Sequence, residues 1–311
     1  MTCQDWRDAS PDEVAPLYAA ERERWLTELA WDPAELLDVV ERGRLAGHVA
    51  GWIAFDQEDR PSGWTFYVLH NGVLQIGGLV GERPSVIRRL LDAVLASPEA
   101  SVARGLSCFV FPSTTGTSSA LERQRFNLRE SLYMTRSIGA SDTQEVSITD
   151  EIVRPWATAD FSATVRVLAA SYAGVPAAEC FAPDGTREQW AHYAGQILRT
   201  PGCGRFDAAL SRIVCAPGSA MPAAVALTTW VGPDAVHVAQ IAVSPDRRRQ
   251  GLARVLMQSV LRASARAGAA RMTLMVDASN VAAVSLYESL GFSERSRMIF
   301  GSRAARTRAA A

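Results

Sequence analysis

The chain has 311 residues, 48 % hydrophobic and 21 % charged, a globular composition that excludes wholesale disorder and collagen-like repeats. No apolar run approaches the ~18 residues of a membrane-spanning helix, and the acidic start MTCQDWRDASPDE lacks the build of a secretory signal, so a cytoplasmic address with no membrane partner is expected. The net charge of −1 hides an asymmetry: residues 1–150 hold 14 Arg against 22 Asp and Glu (−8), whereas residues 151–311 hold 18 Arg against 11 (+7), so an anionic partner suits only the second half.

In chain order, the first half is read best through what recurs later. Trp6-Arg7-Asp8-Ala9 is mirrored by Trp156-Ala157-Thr158-Ala159, and Val73–Val80 matches Val236–Val243 at an offset of 163. Leu90–Leu95, Ser107–Phe111 and Ser119–Phe126 match Leu256–Leu261, Thr273–Asp277 and Ser285–Phe292, all at an offset of 166. One spacing serving three segments marks two copies of one domain. We place them at residues 1–140 and 146–302, with a frayed basic tail over residues 303–311. The polar stretch Ser141–Thr149 is the boundary, open as linker or as first strand.

The second copy parses further. A strand is predicted over Val146–Arg154, then a helix over Asp160–Tyr172 with Asp160 able to cap it. A second helix over Thr186–Leu198 follows the turn signal Pro183-Asp184-Gly185, with Thr186 as its cap. Strands are predicted over Phe206–Val214, Ala223–Val231 and Val236–Val243. Next come a helix from about Gly251 to Ala267, a strand Met272–Val276 and a helix from Val281 to Leu290 that Gly291 stops. Arg297–Phe300 is the last strand.

The chemistry concentrates in two stretches. In Ile241–Met257 a strand ends and three arginines, Arg247, Arg248 and Arg249, precede a helix. Cations there oppose the helix dipole by roughly 0.3–1 kcal/mol each, so an anion to receive them is expected. Gly251 and Ala253 keep the first turn bare, which lets backbone N–H groups approach a phosphate; a solvated basic helix start is the competing reading. In Met275–Phe292, Asn280, Ala283 and Tyr287 share one helix face; alone, Asn280 reads as an N-cap and Tyr287 as a packing residue. The five cysteines form no C-x-x-C pair, and their odd number suits reduced thiols. The four histidines fall in no metal-binding pattern, so no metal is expected. The arginines lack interleaved aromatics, and no nucleic-acid partner is expected.

Together these stretches resemble the acyl-CoA-binding motifs of the GCN5-related N-acetyltransferase (GNAT) superfamily: R-R-Q-G-L-A at Arg248–Ala253, and N-x-x-A-x-x-L-Y-x-x-x-G-F from Asn280 to Phe292. The resemblance implies an α/β fold of two tandem domains, each a mixed, splayed sheet flanked by helices. It implies acetyl-CoA as co-substrate, wedged between the strands Val236–Val243 and Met272–Val276. The pantetheine would pair with the backbone of Ile241, Ala242 and Val243. The pyrophosphate would lie on the amides of Arg248, Arg249, Gln250, Gly251, Leu252 and Ala253. Asn280 would contact the pantetheine arm on the face it shares with Ala283 and Tyr287.

By the same resemblance Tyr287 would protonate the departing thiolate, a sensible transfer between groups that titrate near ~10 and ~8.5. The position where the family often places a Glu base is approximately His237, open as a base or as a packed strand histidine. Tyr172, Phe181, Trp190 and Tyr193 are candidates for an aromatic wall around the acceptor, with core packing as the alternative. The first copy has Gly81-Glu82-Arg83-Pro84 for the phosphate loop, Leu121 for Tyr287 and Thr114 for Asn280, which reads as a degenerate half. The expected function is amine acetylation of a small-molecule or peptide acceptor. A non-catalytic acyl-CoA-binding or partner-binding protein is the alternative, and the oligomeric state is left open.

Overall fold

The structure is a computed structural model that describes residues 2–111, 116–143, 152–215 and 221–304. The first half runs β1 (Thr2–Asp5), α1 (Pro11–Leu29), α2 (Ala34–Leu45), β2 (Ala50–Phe55), β3 (Pro61–His70), β4 (Val73–Gly81), α3 (Pro84–Leu95), α4 (Pro98–Val102), β5 (Gly105–Val110), α5 (Thr117–Arg123) and β6 (Asn127–Ser137). The second runs β7 (Ile152–Pro155), α6 (Phe161–Tyr172), α7 (Arg187–Arg199), β8 (Arg205–Phe206), β9 (Arg212–Cys215) and β10 (Pro222–Trp230). It continues with β11 (Ala235–Val243), α8 (Leu252–Arg266), β12 (Arg271–Asp277), α9 (Val281–Ser289) and β13 (Ser293–Ala304). Apart from the short α4 and β8, the two halves follow one order of elements.

All but β8 lie on one path through a single sheet, β1-β2-β3-β4-β5-β13-β6-β12-β11-β10-β9-β7. Each half contains one parallel pair, β4 with β5 and β11 with β12, and the rest is antiparallel. A strand–helix–strand crossover makes such a pair, supplied here by α3 and by α8. The last strands are exchanged. β6 of the first half pairs with β12 of the second, from Arg271↔Ser137 to Asp277↔Ser131. β13 of the second half pairs with β5 of the first, from Ile299↔Val110 to Ala304↔Gly105, and also with β6. Each half thus covers a sheet edge that the other leaves bare, and an uncovered edge is a liability in any sheet.

Both parallel pairs splay. β11 and β12 are in register only from Ala235↔Arg271 to Val238↔Leu274, and beyond Val238 β11 bends away. The bend is a β-bulge: Leu227 faces Gln240 and Thr228 faces Val238, which leaves Ala239 as the extra residue. The first half repeats the device at Gly77, between Phe66↔Gly78 and Tyr67↔Ile76. A Cβ at Gly77 would collide with the Phe66 ring, which accounts for glycine there. Phe66, Trp6 and Trp64 stack with ring centroids 5.8–5.9 Å apart, filling the space over that bulge. The second half carries its core on both faces of the sheet: α8 with Leu256, Met257 and Val260 on one, and α6 and α7 with Leu168, Trp190 and Ile197 on the other. Each such side chain contributes roughly 1.5–3 kcal/mol on burial.

Several sequence expectations are corrected. The predicted strand Phe206–Val214 is two strands, β8 and β9. Asp207 breaks it, because its carboxylate accepts the N–H groups of Ala209 and Leu210 and the Trp230 indole, an Asx turn that bends the chain. The last strand is longer than predicted. It includes Arg303 and Ala304, paired with Leu106 and Gly105, so the tail begins two residues later than expected. Asp160 puts its carboxylate on Arg154 and on the Ala157 N–H rather than on the first turn of α6. Of the boundary stretch, residues 141–143 belong to a short 3-10 turn. The remainder of that stretch, the start of the predicted strand at Val146, and Thr114 lie outside the described residues.

Candidate active site

The site is built where β11 leaves β12. Beyond the bulge, Gln240 is buried and its amide gathers three groups. Its Oε1 accepts the Tyr172 hydroxyl at 2.6 Å and the Ile241 N–H at 3.2 Å, and its Nε2 donates to Tyr193 Oη at 3.3 Å. The Val243 carbonyl accepts the Ser171 hydroxyl at 2.9 Å. The end of α6 is thereby pinned to the open edge of β11. A ligand that pairs with Ile241–Val243 must displace two side-chain contacts, while Ala242 is buried against α6 and α7.

The loop that follows is strained in a specific way. Arg249 and Gly251 both adopt the left-handed region, with φ 63° and 83°. For a non-glycine residue such as Arg249 this conformation costs on the order of 1–2 kcal/mol. A Cβ on Gly251 would meet nothing within 4 Å, so glycine serves backbone conformation there, as N-cap of α8. The first amides of a helix have no intrahelical acceptor, which leaves those of Leu252 and Ala253 at a mouth rimmed by exposed arginines. Arg248 turns one N–H to the Ser171 carbonyl, a cation at the C-terminal end of α6 where the dipole favours it.

On the other flank, Asn280 caps α9 by accepting the Ala283 N–H at 3.2 Å. One turn on, Tyr287 is 5 % exposed, edge-on to Phe292. Burial pushes its phenol above the ordinary value of 10, so it stays protonated at neutral pH. Tyr172 is also raised, by burial first and then by the charge that Tyr287 would carry, which puts the two hydroxyls within electrostatic reach. Tyr172, Phe181, Trp190 and Tyr193 form one aromatic cluster, with ring centroids 4.7–6.1 Å apart. Of these, Tyr172 and the buried Trp190 line a cleft of about 490 Å³.

His237 is held apart from these groups. It is 4 % exposed, stacked on Tyr133 and tilted against Trp31, both of the first half, with Nδ1 hydrogen-bonded to Thr273 Oγ1 at 2.9 Å. Burial pulls its pKa down to about 3. The folded ring therefore stays neutral while the unfolded chain takes up a proton near ~6.5, and stability falls by roughly 1.4 kcal/mol per pH unit below that value. About 2 kcal/mol is expected to be lost from this group between pH 7 and pH 5. Urea unfolding at the two pH values checks it: His237→Gln should lose correspondingly less, and equal losses would place the acid sensitivity elsewhere.

Sequence reasoning missed Gln240 and Ser171. Gln240 was legible only as a residue unable to act as a base, because its role comes from two tyrosines that reach it from α6 and α7. Among the described residues, no group of three or more metal-ligating side chains occurs, and no helix is long and apolar enough to cross a membrane.

Comparison with known proteins accords with this geometry. Residues 179–292 match the acetyltransferase (GNAT) family. That stretch of the second half is what resembles a GNAT domain. Over 66 residues the chain is 47 % identical to the ribosomal protein bS18-alanine N-acetyltransferase of Escherichia coli K12, a match that covers 21 % of this chain and 45 % of that protein. The chain thus spans less than half the length of the curated relatives it matches. Among solved structures, a tandem GNAT protein from the clavulanic acid biosynthesis pathway aligns over 98 % of this chain and 99 % of its own, with TM-score 0.65 and 14 % identity. A GCN5-related N-acetyltransferase from Sphaerobacter thermophilus aligns over 83 % and 81 %, with TM-score 0.58 and 16 % identity. At such identities the likeness is one of fold, and the fold is the tandem GNAT arrangement.

Proposed function

We propose that this protein transfers an acetyl group from acetyl-CoA to a primary amine, which attacks the thioester directly. The observation that carries the reading is that the open edge of β11, the start of α8 and Tyr287 meet in one apolar cluster, in which buried Tyr287 and Leu252 are packed against by Ile241 and Val243. Amides of Arg248–Ala253 would take the pyrophosphate, the edge Ile241–Val243 the pantetheine, and Asn280, with Ala283 on the same face, its far side. Tyr287 is the acid that returns a proton to the thiolate.

The enclosure of His237 favours its packing role over the base role, so the reading gives the acceptor's proton to water in the cleft. Residues 1–140 serve as brace, without a second site: Pro84 removes an amide at the start of α3, and the buried Leu121 stands where Tyr287 does. Catalysis and not mere acyl-CoA sensing is supported by Tyr287 occurring in the half that has the bare helix start. Acceptors of the α-amino class, as in the alanine N-acetyltransferase relatives, titrate near ~7.7 and need little help to lose a proton. Five free cysteines suit a cytoplasmic address. Thiol release from acetyl-CoA, followed across a panel of amines, tests the proposal. Amine-dependent release is expected, and release that ignores every amine would contradict it.

A further inference from the structure

We propose that the acceptor amine also carries a carboxylate, and that Arg129 binds it. The inference rests on the acyltransfer reading above and names the class of amine. The cleft of about 490 Å³ beside Tyr172 lies between the α6–α7 connection and β6, with Tyr172, Val175, Pro176, Glu179 and Arg129 among its lining. Its size falls in the range of small-ligand sites, roughly 300–1,000 Å³. Arg129 comes from the first half and reaches this cleft because β6 is exchanged into the sheet beside β12.

The Arg129 side chain is held without the contacts its chemistry asks for. Its Nε is buried and has no hydrogen-bond partner. A guanidinium is always charged and carries five donors in a planar fork, and a buried donor left unmade is costly. Neighbouring carboxylates are turned to other partners: Asp184 to Arg104 and Gln189, Glu130 to Arg297, and Glu179 to the Ser302 hydroxyl at 3.4 Å. Ser131 pairs with Asp277 and the Glu130 carbonyl accepts the Ala278 N–H, which sets Arg129 beside the end of β12 from which α9 and Tyr287 follow. A planar carboxylate offers the two acceptors that match the fork. The acidic residues at the rim, Glu179 and Asp184, oppose a dianion, so a carboxylate fits better than a phosphate. An amino acid or short peptide with both ends free has this chemistry.

The test uses product analogues, which need no turnover. N-acetyl-alanine, N-acetyl-leucine and N-acetyl-phenylalanine, each paired with its primary amide, are titrated calorimetrically into the full chain, with and without saturating CoA. At least one acid is expected to bind ten-fold or more tighter than its amide, and Arg129→Gln should remove that difference while leaving CoA affinity and the melting temperature unchanged. Equal binding of acid and amide, no binding of any acid, or a preference that survives Arg129→Gln would overturn the assignment. So would inorganic phosphate that competes at the affinity of the acids. If acids bind by this pattern but CoA does not, the acyltransfer reading fails while the carboxylate site stands.

Discussion

Replacing Tyr287 with phenylalanine is expected to lower kcat about a hundred-fold or more, the ordinary worth of a positioned general acid, with acetyl-CoA affinity nearly unchanged. The substitution removes one oxygen and keeps the ring. Its contact with Phe292 and its place among Leu256, Leu274 and Phe292 therefore persist, and unfolding is no rival explanation. The pH profile carries a second readout. Burial raises the Tyr287 phenol above its ordinary value, so the alkaline limb of the wild-type profile, where the donor is lost, should be displaced to higher pH than for a free phenol. Steady-state kinetics with any accepted amine, beside calorimetry of acetyl-CoA, measures both. An unchanged kcat would remove Tyr287 from the chemistry and leave a packing residue.

The second large effect lies in the exchanged strands. Ending the chain after Phe292 removes β13, which pairs with β5 and β6 and buries Met298, Ile299 and Phe300. At roughly 1.5–3 kcal/mol per side chain, plus two lost ladders, the deficit reaches the 5–15 kcal/mol that holds most domains folded. The truncated chain is expected to show no cooperative melt, and its first half should be lost although every deleted residue lies in the second. A milder variant, Phe300→Ala, should cost about 3–5 kcal/mol in one transition seen alike by tryptophan fluorescence and by acetyl-CoA binding. Two separate transitions, or a truncated chain that still binds acetyl-CoA, would mean the halves fold independently.

Much of this was legible in the residues. The offset of 166 carried the tandem order, because equivalent core helices need equivalent apolar spacing, as at Leu90–Leu95 and Leu256–Leu261. The caps were readable too: Thr186 accepts the Gln189 N–H and Asn280 accepts the Ala283 N–H, and Gly291 takes the left-handed conformation of a helix stop. The exchange of β6 and β13 was not readable. Strand alternation fixes which face a residue takes but not which strand lies alongside. For the same reason nothing in the sequence set Arg129, on β6, beside the second half. His237 was ambiguous until Trp31 and Tyr133 were seen to enclose it, since both come from the other half. Gln240 was readable only as a side chain that cannot act as a base, because a neutral amide becomes informative only when its partners are known.

The central claim is a single acetyl-CoA site, formed by the second half. Calorimetric titration of the intact protein with acetyl-CoA tests it most directly. One site per chain is the predicted result, with affinity falling as salt rises because the arginines at the start of α8 meet the phosphates. Absence of binding would contradict the account, and two sites per chain would show that the first half, despite Pro84 and Leu121, still binds the co-substrate.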